Sequence, residues 1–143
     1  VRGIRLREGD YAIGAVIADS DTKLLLVSES GYGKKTDAGE FTVQRRGGMG
    51  LRCYRITEKT GSLAGIISIS DEDDILIITS DGIIIRTDAG EIATIGRNTQ
   101  GVKLIRVADG VKVVSITSTE KTDEDDTDSE DKAAGEVQPK EEI

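Results

Sequence analysis

The sequence predicts an all-β fold of repeated, four-stranded antiparallel blades, a partial β-propeller followed by a disordered acidic tail. Three observations predict it. The chain repeats itself with a period of about 50 residues, strand-forming residues broken by glycine fill each period, and the net charge is confined to the C-terminal stretch.

The repeat is specific in its letters. "VRGIRL" (1–6), "LRCYRI" (51–56) and "VKLIRV" (102–107) share one pattern, "GYGKKTDAGEF" (31–41) matches "GIIIRTDAGEI" (82–92), and "RRGGMG" (45–50) falls opposite "GRNTQG" (96–101). This marks repeats over about 1–50 and 51–101, with a third over 102–119. Within them "IGAVIA", "KLLLVSE", "GYGKKT", "GLRCYRIT", "GIISIS", "DILIITS", "IIIRTD" and "GVKLIRV" read as strands. Asp81-Gly82 signals a hairpin, and Asp-Ala-Gly recurs at 37–39 and 88–90 as a turn. No segment carries an apolar stripe of helical period. Four strands per repeat is the signature of a propeller blade, and an ordinary β-sandwich does not require units this alike.

Charge sets the tail apart. Residues 1–119 hold 16 Lys+Arg and 16 Asp+Glu, whereas residues 120–143 hold 3 and 11, so the whole −8 lies in the last stretch. That stretch has no aromatic residue and few aliphatic ones, too little to offset the entropy of ordering. Placed near basic residues, it is expected to compete for them with a polyanion.

Several functions are excluded by composition. With no histidine and one cysteine, a zinc site or a histidine-based triad has no ligands or base. Cys53 has no intrachain partner for a disulfide and suits a reducing cytosol. No apolar run approaches the roughly 18 residues of a membrane-spanning helix. Val1 at the first position fits a piece of a longer chain.

Basic residues recur with the period. The strand pattern of 1–6 places Arg2, Arg52 and Lys103 in one set and Arg5, Arg55 and Arg106 in another. Residues 31–55 carry Lys34, Lys35, Arg45, Arg46, Arg52 and Arg55 against Asp37 and Glu40. Such clustering is the footprint of a polyanion site, and Gly47, Gly48 and Gly50 let backbone amides approach an anion closely. No recognition helix or stacking aromatic accompanies them, so phosphate contact without base readout is expected. Ordinary solvated charge in a turn is the other reading of Arg45 and Arg46 that composition leaves open.

"QRRGGMG", residues Gln44, Arg45, Arg46, Gly47, Gly48, Met49 and Gly50, resembles the Q-R-R-G-G-K-G box of the gyrase A family of DNA topoisomerase subunits. "VRGIRLREGD", "SGYGKKT" and "IGRNTQGVKLIRV" resemble the closing blades of that family's C-terminal DNA-wrapping domain, over residues 1 to about 117. The resemblance implies a β-pinwheel, a propeller variant whose blades exchange strands, with DNA bent around a basic rim. It implies Lys34, Lys35, Arg45, Arg46, Arg52, Arg86, Arg97 and Lys103 as DNA-contacting residues. The partners it implies are double-stranded DNA, the remainder of the same gyrase A polypeptide, and gyrase B, in a bacterial cytoplasm and at the chromosome. ATP and Mg²⁺ are expected on other domains, and no cofactor, metal or catalytic residue is expected here. Met49 stands where the box usually has a cation, and the box usually belongs to an early blade, whereas its neighbours here look late. The alternatives are the corresponding C-terminal domain of topoisomerase IV and a propeller-type protein scaffold.

The remaining conspicuous residues have plain readings. Cys53 occupies a strand slot that wants a small or apolar side chain, and "DEDD" (71–74) reads as a solvated turn without EF-hand spacing. Tyr11, Tyr32 and Tyr54 have no metal-binding partner module, so none is expected to be a nucleophile.

Overall fold

An uninterrupted apolar run within a strand has to be covered on both faces. β1 (Lys23–Ser28) holds such a run over 24–27: Leu24 and Leu26 enter one core cluster with Tyr54, while Leu25 and Val27 enter a larger one with Ile69, Ile75 and Ile77. The computed structural model describes residues 1–19 and 21–121 and shows two antiparallel sheets. The first has the order β3 (Leu63–Ile69), β1, β2 (Tyr32–Asp37), β6 (Val102–Lys103). The second has the order β5 (Ile84–Asp88), β4 (Asp73–Thr79), β7 (Val113–Glu120).

The repeats of sequence are repeats of structure, but the sheets cut across them. β1 and β2 form a hairpin, as do β4 and β5 at the expected Asp81-Gly82 turn, where Gly82 has φ +84°. β3, from the second repeat, then pairs with β1 of the first, and β7, from the third, pairs with β4 of the second. Both pairings slip register at equivalent places, Val27/Ser28 and Ile78/Thr79. β6 adds to the free edge of β2 with Tyr32 opposite Lys103. The first sheet thus draws on all three repeats. The two Asp-Ala-Gly segments form 3-10 turns at Ala38–Glu40 and Ala89–Glu91.

Three expected strands differ. Residues 13–18 form no strand and lie outside both sheets. Their counterparts β3 and β7 complete the sheet of the repeat before their own, and among the described residues no such sheet is available to 13–18. Residues 50–57 and 101–107 pair at isolated points, apart from the two residues of β6, because turns and not strands lie opposite them. Most of the expected tail, 120–143, lies outside the described residues. Glu120 ends β7 and Lys121 pairs with Asp88 at 2.8 Å.

The "DEDD" turn is structural, not merely solvated. Asp71 accepts from Lys23 Nζ at 2.8 Å and from Lys35 Nζ at 2.7 Å, and these two bonds hold its carboxyl down at about 2. A folded-state value below the unfolded one stabilises the fold above about pH 4, and this contribution is lost as pH falls through about 2. Asp71→Asn should therefore lower the melting temperature at pH 7 and flatten its fall between about pH 4 and 2. Thermal denaturation over that range checks it, and an unchanged acid limb refutes it.

Candidate nucleic-acid interface

The glycine-bearing turn that closes each repeat packs on the segment that opens it, 45–50 on 1–6 and 96–101 on 51–56. Arg5 N donates to Gly48 O at 2.7 Å, and Arg55 N donates to Thr99 O at 2.9 Å. These are the same bond in two repeats, since Arg5 aligns with Arg55 and Gly48 with Thr99. Gly47 N also donates to Gly3 O at 2.9 Å, and Ile4 bridges Gly48. The box-like turn 45–50 is thereby held beside Arg2 and Arg5, and the turn 96–101 beside Arg52 and Arg55. Gly50 and Gly101, at equivalent places, both have positive φ.

Around these turns lie exposed cations. Arg2, Arg5, Arg45, Arg46, Arg52, Arg55, Lys103 and Arg106 are all exposed, and none forms an ion pair among the described residues. Met49 is exposed beside the first group, and Gln44 folds back on Thr42, its Nε2 donating to Thr42 Oγ1 at 2.9 Å. A third group surrounds Tyr32 in an open groove of about 510 Å³. Lys59 and Lys103 lie 5.6 and 5.7 Å from the Tyr32 ring centre, Arg106 lines the same groove, and Asp109 is its acidic member. Lys59 was missed in the sequence because it belongs to no repeated motif and joins this group only when β6 pairs with β2.

Three expected contact residues are placed differently. Lys34 and Lys35 are 0% and 2% exposed, so they are not rim cations. β2 is covered on both faces, and adjacent side chains therefore both point inward. Lys35 donates to Asp71 and to Ala89 O at 2.7 Å. Lys34 lies 5.2 Å from the Tyr54 ring centre and donates to oxygens of Gly96, Arg97 and Thr99. Burial pushes its pKa down, opposed in part by Cys53 and Glu40. Arg86 is exposed but neutralised: its Nε donates to Asp74 at 2.6 Å and its Nη2 to Glu120 O at 3.2 Å. Lys35 and Arg86 occupy equivalent positions and take neighbouring carboxylates, Asp71 in the turn before β4 and Asp74 within β4. Arg97 is half-buried, with Nη1 donating to Arg52 O at 2.7 Å.

Cys53 packs half-buried near Leu24 and Leu26, and that burial pushes its thiol up, away from reactive thiolate character. Burial likewise raises the Tyr54 hydroxyl, which donates to Gln100 O. Among the described residues no group of three or more acidic, His or Cys side chains is arranged to hold a metal ion, and no helix is long and apolar enough to cross a membrane.

The model of the DNA gyrase C-terminal domain, beta-propeller, family matches residues 1–19, 22–70 and 73–120. The chain belongs to this family. It is 37% identical over 139 residues to the gyrase A protein of Staphylococcus aureus, covering 96% of this chain and 16% of that protein. It is 39% identical over 126 residues to the gyrase A protein of Staphylococcus epidermidis, covering 87% of this chain and 14% of that protein. The chain thus spans about a sixth of the curated relatives it matches. Among solved structures, that of the DNA gyrase A C-terminal domain superposes with a TM-score of 0.77 at 29% identity, covering 82% of this chain and 40% of that one. The C-terminal domain of DNA topoisomerase IV shares the fold, with a TM-score of 0.75 at 24% identity over 84% of this chain and 38% of that one.

Gly101 is the turn residue that packing constrains most. Its φ is +77°, and a Cβ there would lie 2.5 Å from Gly33 O and 2.8 Å from Gly33 C. Gly101→Ala should destabilise the fold by more than about 1–2 kcal/mol, the cost of a left-handed non-glycine residue before any clash. Urea denaturation of wild type and variant measures the difference.

Proposed function

We propose that this chain binds duplex DNA through its phosphates and contributes to wrapping it, as part of the gyrase A polypeptide of a bacterial DNA gyrase. The observation that carries the reading is the set of cations, exposed except for the half-buried Arg97 and in no ion pair among the described residues, gathered twice by the same turn contact. Arg2 and Arg5 join Arg45 and Arg46 in one repeat, and Arg52 and Arg55 join Arg97 in the next. The rows lack any element shaped to read base edges, so binding is indifferent to sequence and any preference follows from duplex deformability.

Wrapping sets elastic cost against charge contact. Bending 20–30 base pairs smoothly by 40–90° costs on the order of 1–6 kcal/mol. Each neutralised phosphate releases counterions, which offsets that cost in proportion to the number of contacts. In the assembled enzyme, with gyrase B and the remainder of gyrase A, the wrap would present one DNA segment to another for ATP-driven strand passage and negative supercoiling. ATP and Mg²⁺ would act on other domains, in the cytoplasm and at the chromosome. The curated relatives, which are gyrase A proteins, favour gyrase over topoisomerase IV.

Replacing both Arg45 and Arg46 with alanine should weaken duplex binding equally for unrelated sequences. It should also reduce the slope of log K against log salt by about 2, at roughly 0.9 per phosphate contact. Fluorescence anisotropy at several salt concentrations measures both. A wild-type slope of zero rejects phosphate contact, and an unchanged slope in the variant removes the box-like turn from it.

A further inference from the structure

Lys34 is a buried ammonium with no carboxylate within ion-pairing distance among the described residues. Burying a charge is costly unless oxygen atoms replace its hydration, and here four do. Lys34 Nζ donates to Arg97 O at 2.7 Å, Gly96 O at 2.9 Å, Thr99 O at 3.1 Å and Thr99 Oγ1 at 3.1 Å. Thr99 Oγ1 donates onward to Gly96 O at 2.8 Å, closing the turn on itself. The face of Tyr54 lies 5.2 Å from the ammonium, and the Tyr54 hydroxyl holds Gln100 O.

The orientation of the turn follows. With the carbonyls of Gly96 and Arg97 drawn inward, the trans peptide geometry turns the N–H groups of Arg97 and Asn98 the other way. Among the described residues nothing accepts from the N–H of Arg97, Asn98 or Thr99. Arg97 extends from the same turn to Arg52 O, on the segment that carries Arg52 and Arg55.

We infer that Lys34 is a positioning residue for phosphate binding. Its ammonium acts as an internal cation that gathers the backbone of 96–99 and holds Arg97 and the outward amides toward the DNA. Lys34 touches no phosphate itself. The inference rests on the DNA-binding reading for its second half only, since the anchoring of the turn is a property of the free protein.

Two measurements on the intact protein separate the halves. In the first, limited trypsinolysis without DNA, Lys34→Met should raise cleavage after Arg97, whose carbonyl the ammonium holds, about tenfold, as expected when a charged hydrogen bond no longer closes a local opening. Cleavage after Arg86 should stay constant. Thr99→Val, which removes one acceptor and leaves the three carbonyls, should give a smaller rise and keeps the test decisive if Lys34→Met does not fold. In the second, duplex binding across salt concentrations, Lys34→Met should reduce the log–log salt slope by about 1, and should add nothing to Arg97→Ala. Arg97 cleavage unchanged in Thr99→Val and in any folded Lys34→Met overturns the anchor. Raised cleavage with an unchanged salt slope overturns the role in presenting the turn to DNA. A wild-type slope of zero overturns the DNA-binding reading itself, while the cleavage result still decides the anchor.

Discussion

The structure depends on one constraint: β2 is covered on both faces, yet two consecutive positions in it are lysines. Neither ammonium reaches solvent, so each has to find oxygen inside the protein. Lys35 finds Asp71 and a carbonyl, which ties β2 to the turn before β4. Lys34 finds the turn at 96–99, which ties the first repeat to the second through the opposite face. Relations between the two sheets and the basic turns follow from where these charges go.

Much of this was legible in the letters. The continuous apolar run of β1, the glycine of the β4–β5 hairpin and the repeated Asp-Ala-Gly turns have the chemistry their places demand. So have the exposed arginines of 1–6 and 51–56, whose recurrence announced a repeated surface. Strand exchange came with the family resemblance and not from the residues themselves, because β3 and β7 have the same composition whichever sheet receives them. The fate of Lys34, Lys35 and Arg86 did not show. Charge counted along a chain carries no sign of whether the strand is covered, and Asp71 and Asp74, which neutralise two of them, lie in a segment that reads as a turn. Arg45 and Arg46 in their turn kept the expected exposure, Arg97 in its turn is half-buried, and the two lysines in the covered strand are buried.

The paired placement of Lys35 and Arg86 separates two uses of positive charge in one small protein. Where a cation sits opposite the 71–74 carboxylates it becomes part of the scaffold. Where it sits beside a glycine-bearing turn it stays unpaired among the described residues. The distribution of aspartates, as much as that of arginines, therefore shapes the basic surface.

Because β3, β1, β2 and β6 come from three successive repeats, the sequence period is not the unit of folding. β2 and β6 meet across roughly seventy intervening residues, and closing so long a loop precedes any gain from the pairing. Assembly of the first sheet waits on the synthesis of the third repeat, so a ribosome-bound chain ending at residue 101 would present β2 with an open edge. Dissection at blade boundaries would therefore sever sheets, whereas cuts following the exchanged strands would respect them.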